Sequence, residues 1–124
     1  METMSSTVYP VPEDLPKYQQ KWLQEVKSCI LKKLDGPGFV IADIADALGI
    51  SERQFHRRIK QLLGITPNEL ILQLKMDRAR QLLEDGHYPT VAQVAYAVGF
   101  NRSDYFSHLF WKTYGKRPIE LMSR

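Results

Sequence analysis

Apolar residues recur at three- and four-residue spacing in several separate stretches of this chain, and no stretch alternates apolar and polar as a half-buried strand does. Trp22, Val26, Cys29, Ile30 and Leu34 mark one face of a helix that opens at Pro16 and is stopped by Asp35-Gly36-Pro37-Gly38. A short helix is predicted from Ile41 to Leu48, with Gly49 free to take the positive φ of a tight turn. Ser51 then caps a helix running to Leu63, with Gln54 three residues on to complete a capping box. Thr66, Pro67 and Glu69 open a long helix to Asp85, striped by Leu70, Leu74, Leu82 and Leu83 and closed by Gly86. Thr90 with Gln93 starts another short helix to Val98. After Gly99, Asn101 caps a helix to Tyr114, and Pro118 begins a last short one beyond Gly115. The expectation is an all-α fold of about seven helices.

The pattern contains a repeat. Ala42, Ala45, Ala47 and Gly49 return fifty positions later as Ala92, Ala95, Ala97 and Gly99. After one inserted residue, Phe55, Gly64, Pro67, Glu69 and Leu70 return as Phe106, Gly115, Pro118, Glu120 and Leu121. Apolar character is kept at Ile44/Val94, Leu48/Val98, Ile50/Phe100 and Ile59/Phe110. A repeat of about thirty residues is one structural unit used twice. Each copy, a short apolar helix, a glycine turn and an amphipathic helix, reads as a helix-turn-helix. The expected organisation is a flexible arm or linker over 1–15, where Ser5, Ser6, Pro10 and Pro12 interrupt any periodicity, a first subdomain over 16–66, a connecting helix over 67–86 and a second subdomain over 87–124.

The net charge of +3 is unevenly spread. Residues 1–50 hold five Lys or Arg against seven Asp or Glu, whereas residues 51–124 hold twelve against seven. The excess begins where the first amphipathic helix begins, which favours a polyanionic partner. No apolar run approaches the roughly 18 residues needed to span a bilayer, and no signal-peptide core follows the N-terminus, so no membrane partner and a cytoplasmic location are expected. Cys29 is the single cysteine and lies on an apolar stripe, where a buried, inert thiol is expected. His56, His87 and His108 lack metal-ligand spacing, and no glycine-rich phosphate loop is present. No metal, cofactor or enzymatic activity is therefore expected.

At 100° per residue, Phe55, Ile59, Leu62 and Leu63 share the inward face of the helix that starts at Ser51. Arg53, His56, Arg57 and Lys60 lie opposite. That arrangement suits a major-groove reader of double-stranded DNA: one helix braces while the other offers cations and donors to base edges. Arg53 and Arg57 are the leading base-contact candidates, since Arg binds guanine O6 and N7 with two parallel hydrogen bonds. His56 can donate to a base or a phosphate, and Ser51, Arg58 and Lys60 are placed for phosphate. In the second copy Phe106, Leu109 and Phe110 face inward, and Asp104, Ser107, His108 and Trp111 face out, flanked by Tyr105 and Lys112. Asp104 has two readings: an acceptor for cytosine N4, or the acid that closes a capping box with Asn101, the latter favoured. Trp111 stands where the first copy has Lys60, and suits either a sugar or partner contact or a partly exposed packing role.

The long helix spans about 28 Å at 1.5 Å per residue. Major-groove faces on one side of B-DNA recur about every 34 Å, so such a strut suits two readers on one duplex. Lys75, Arg78 and Arg80 on the strut, with Arg102 and Lys112 around the second helix, complete the phosphate-contact candidates. A solvated helix face explains the strut residues equally well.

The segments GISERQFHRRIKQLLGITPNELI, RARQLLEDG, TVAQVAYAVGF and DYFSHLFWKTYGKRPIEL together resemble the AraC/XylS family of bacterial transcription regulators, over about residues 20–121. The resemblance implies base contacts from both amphipathic helices: Arg53, His56 and Arg57 match the contact positions of the first unit, and Asp104, Tyr105, Ser107 and His108 those of the second. His108 stands where an Arg is frequent, Trp111 where a Lys is frequent, and Arg117 where a small residue is usual, so the first unit is expected to dominate specificity. The region from Tyr18 to Leu34 looks like the leading helix of two-component output domains, which favours an upstream sensor or receiver domain outside this chain; the alternative is a resemblance to the small stand-alone multidrug-resistance and stress activators. Contact with RNA polymerase is usual in the family, although no residue here marks it. The competing reading is a helical protein-binding adaptor that has lost specific DNA binding; the cationic stripe of Arg53, Arg57 and Lys60 speaks against it.

Overall fold

The computed structural model describes residues 11–34 and 38–122. Residues 1–10 of the expected arm and the Asp35-Gly36-Pro37 stop signal lie outside the described residues. Among those described there are seven helices and no strand: α1 (Lys17–Leu34), α2 (Ile41–Ala47), α3 (Glu52–Leu63), α4 (Pro67–Glu84), α5 (Val91–Ala97), α6 (Ser103–Tyr114) and α7 (Pro118–Leu121). They fall into two compact units, Met1–Leu74 and Lys75–Arg124, divided inside α4. The expected connecting helix is thus shared between the units, because its first half carries Leu70, Ile71 and Leu74 into the core of the first unit.

The core of the first unit joins Leu23, Val26, Ile30 and Leu34 of α1 to Ile44 and Ala45 of α2, Phe55 and Ile59 of α3, and the α4 residues just named. Trp22 adds an edge contact to Phe55, with ring centroids 6.3 Å apart. Cys29 is only half-buried at the margin of this core. Residues 11–15 are not helical, yet Val11 and Leu15 pack against the same core. The Gln20 side-chain amide holds that segment by donating to the carbonyl oxygens of Leu15 (2.7 Å) and Glu13 (3.1 Å).

In the second unit, Met76, Ala79, Leu82 and Leu83 of α4 are buried with Val94, Ala95 and Val98, and with Phe106 and Phe110 of α6. The repeat is obeyed in burial: Ile44 and Val94, Ala45 and Ala95, Phe55 and Phe106, and Ile59 and Phe110 are all sealed from solvent. The second unit is the more aromatic. Phe100, Phe106, Phe110 and Tyr114 run as successive ring contacts with centroid separations of 5.3, 5.7 and 4.7 Å.

Helix starts follow the sequence at four places. Ser51 Oγ accepts from the Gln54 amide (3.1 Å) while Gln54 Oε1 accepts from the Ser51 amide (3.0 Å). Thr66 and Glu69 make the same reciprocal pair, and these hydrogen bonds hold the Glu69 carboxyl below the usual range. Thr90 Oγ1 accepts from the Gln93 amide (3.1 Å). Pro16 stands just ahead of α1, its carbonyl accepting from Gln19 and Gln20.

The expected Asn101 cap does not form. The helix opens one residue later with Arg102 at the cap and without a side-chain cap bond. Asp104 is then the second helical residue, one position short of a capping-box acid. Its carboxylate instead binds the Arg102 guanidinium, which removes the favoured reading of Asp104.

Both interhelical turns use a left-handed glycine, Gly49 at φ +73° and Gly99 at φ +94°. A β carbon at Gly49 would meet nothing within 4 Å, whereas at Gly99 it would come into van der Waals contact with the Lys75 side chain, 3.4 Å from Nζ. Gly99→Val is expected to destabilise the protein by about 1–3 kcal/mol from backbone strain alone. Gly49→Val carries the same kind of strain and should lose a similar amount. Urea unfolding of the two variants side by side checks this; wild-type midpoints would remove the strain account.

Candidate nucleic-acid interface

Helix α3 is pinned by Phe55 and Ile59, both at 0% exposure. With that face fixed, helical periodicity turns Arg53, Arg57 and Lys60 outward, and all three are exposed. Arg53 and Arg57 have no ion-pair partner among the described residues. Lys60 Nζ reaches the Gly64 carbonyl at 3.2 Å and closes the C-terminal end of the helix. His56 is half-buried beside them. Ser51 is exposed at the N-terminus, its oxygen accepting the capping bond and its hydroxyl hydrogen left over to donate outward.

Arg58 is placed differently from the phosphate-directed expectation. It is half-buried, and its guanidinium carbon lies 3.9 Å from the centre of the Trp22 ring. The cation–π contact ties α3 to α1 and commits that charge to packing.

Helix α6 is pinned in the same way by Phe106 and Phe110. Asp104, Tyr105, His108, Trp111 and Lys112 are exposed, and Ser107 is half-buried. The chemistry of the outward face is different. Arg102 and Asp104 form a forked bridge, Nη2 to Oδ2 at 2.7 Å and Nε to Oδ1 at 3.2 Å. This hydrogen bonding pushes the Arg102 guanidinium up and the Asp104 carboxyl down from their ordinary values. In place of Arg53, Arg57 and Lys60, the second helix presents a paired Asp104, His108 and Trp111.

The α4 cations are partly drawn inward. Lys75 is half-buried with its ammonium 5.6 Å from the centre of the Phe100 ring, and burial lowers its pKa. Arg80 bonds Glu84 at 3.3 Å and lies over Tyr114 at 5.1 Å. Arg78 is half-buried. Tyr114 has a buried hydroxyl, and desolvation, reinforced by the nearby Asp77 carboxylate, raises its pKa. Among the described residues no group of three or more His, Cys, Asp or Glu could hold a metal ion, and no helix is long and apolar enough to cross a membrane.

A family model described as a helix-turn-helix domain matches residues 44–124. The transcriptional activator RhaS of Escherichia fergusonii is 37% identical over 78 residues, which cover 63% of this chain and 28% of that protein. This chain therefore spans less than a third of that relative. An AraC-type transcriptional regulator structure from Chromobacterium violaceum superposes with a TM-score of 0.75 at 32% identity, covering 86% of this chain and 93% of the other. The C-terminal domain of AraT, a response regulator from Geobacillus stearothermophilus, matches with a TM-score of 0.69 at 26% identity, covering 90% and 92%. The chain belongs to the AraC-type helix-turn-helix family.

Within this AraC-type domain, three cation–aromatic contacts went unread in the sequence: Arg58 on Trp22, Lys75 on Phe100 and Arg80 on Tyr114. Each joins residues at least 25 positions apart, beyond the reach of helical periodicity. Arg58→Ala is expected to lower the stability of the first unit by about 1 kcal/mol, whereas the exposed Arg57→Ala should leave stability unchanged within about 0.5 kcal/mol. Chemical unfolding followed by Trp22 fluorescence in a Trp111→Phe background compares them; an Arg58→Ala midpoint equal to wild type would release Arg58 to the DNA face.

Proposed function

We propose that this domain is a sequence-specific double-stranded DNA-binding module of a transcription regulator, with α3 and α6 reading neighbouring major-groove segments. The observation that carries this is the outward face of α3: Arg53 and Arg57 exposed and unpaired on a helix whose opposite face is sealed by Phe55 and Ile59. The packed face fixes the helix, so the backbone that carries both cations is already oriented before they meet guanine edges. In this reading Arg53, His56 and Arg57 contact bases, and Ser51 and Lys60 contact phosphate. In the second unit Tyr105, Ser107 and His108 face bases, while Lys112 and Arg78 approach phosphate. Arg102 and Asp104 neutralise one another, so the second unit contributes less charge and the first dominates affinity.

The likeness to a response-regulator C-terminal domain, and to an activator of which the matched region covers only 28%, supports an upstream signal-receiving domain as partner. It also supports gene activation through RNA polymerase as the output, in the cytoplasm where the chromosome is found.

Selection from a random duplex pool, followed by anisotropy titrations on the recovered site, tests the assignment. The selected motif should have two parts about one helical turn apart. Arg57→Ala should weaken binding to it roughly ten- to hundredfold with helix content unchanged. Lys112→Ala should reduce the slope of log affinity against log salt by about one. Retention of full affinity by Arg57→Ala would remove Arg57 from the base contacts; a pool that yields no motif, or binding that ignores salt, would favour the adaptor reading.

A further inference from the structure

The second reading helix poses a chemical question. Its first turn offers no unpaired cation, because the one charged pair, Arg102 and Asp104, is closed on itself. What it does offer is Tyr105, 54% exposed, with its ring held edge-on against Phe100 at 6.2 Å. Phe100 is supported on its other contacts by the buried Phe106 at 5.3 Å and by the Lys75 ammonium at 5.6 Å. Lys75 also fills the space beside the Gly99 turn. An exposed aromatic ring is thus buttressed from beneath by a stack that ends in the core of the second unit. Further along the same helix Trp111 is 53% exposed, at the position that Lys60 holds in α3.

We propose that Tyr105, seated on Phe100 with Lys75 as a positioning residue, recognises the C5-methyl group of thymine, so that the second unit reads its half-site by apolar contact where the first reads by cations. The inference rests on the DNA-reading role proposed above. Thymine is the one base that presents a methyl group in the major groove, and an apolar side chain meets it without a hydrogen-bond code. A ring leaning on Phe100 has less rotamer freedom to lose on docking than an unsupported one, so more of the burial counts toward affinity. A lone exposed tyrosine on a helix would lack that advantage; the Phe100 buttress supplies it. The paired Asp104 belongs to the same design, since a free carboxylate beside the ring would repel the adjacent phosphates.

The experiment uses the selected duplex with each thymine of the second half-site replaced in turn by deoxyuridine, which removes the methyl and keeps every hydrogen-bonding edge. Wild-type protein should lose about fourfold in affinity at the thymine that meets Tyr105, with an unchanged salt slope. Tyr105→Ala should bind the thymine and uracil duplexes equally, and Tyr105→Phe should restore the preference. Lys75→Met should keep the fold but reduce the thymine preference by loosening the buttress. A wild type indifferent to uracil at every position, or a Tyr105→Ala variant that still prefers thymine, would overturn the proposal. These failures leave the selected motif and the Arg57→Ala effect standing; loss of those as well would instead sink the DNA-reading role.

Discussion

Burial of two residues one helical turn apart, Phe55 with Ile59 in α3 and Phe106 with Phe110 in α6, decides what each amphipathic helix can do. An apolar face fixed at 0% exposure sets the rotation of the helix about its own axis, and with it the direction of every polar side chain it carries. The outward set is not chosen residue by residue. Arg53 and Arg57 face solvent because Phe55 and Ile59 do not. A helix free to roll would present its cations to every direction equally and could not discriminate one base edge from another.

The same constraint acts with different chemistry in the two halves. In the first unit the fixed face leaves exposed guanidinium groups without internal partners. In the second, apart from the exposed Lys112, the outward face carries a closed Arg102–Asp104 pair with Tyr105, His108 and Trp111, and the core beneath is a column of aromatic rings. One helical scaffold therefore carries a cationic surface once and an aromatic surface once. The divergence between the copies is concentrated on the solvent side, where substitutions cost little stability, while Ile44/Val94, Ala45/Ala95, Phe55/Phe106 and Ile59/Phe110 stay apolar.

Cations on the chain prove to be of two kinds. Some project into solvent, as Arg53, Arg57 and Lys112 do. Others lay their charge over an aromatic ring: Arg58 over Trp22, Lys75 over Phe100, Arg80 over Tyr114. Such contacts pack a long aliphatic stem against apolar surface and remain favourable when the head group is only partly hydrated. They explain why a count of basic residues overstates the charge on offer to a polyanion.

Helix periods and capping pairs were readable from the chain because each depends on neighbours within one or two turns: Ser51 with Gln54, Thr66 with Glu69, Phe55 with Ile59. The repeat of about thirty residues was readable by matching the two copies. The inward and outward faces of α3 and α6 followed from the same local geometry. Where α6 starts was not readable in this way, because Asn101 and Arg102 compete for the cap, and Asp104 gains more from two hydrogen bonds to a guanidinium than from one to a backbone amide. The roles of Arg58 and Lys75, and the seat beneath Tyr105, depend on side chains distant in sequence meeting in space. Only the packed chain brings them within a few ångströms, so tertiary structure alone decided which charges are spent inside the protein and which remain for a partner.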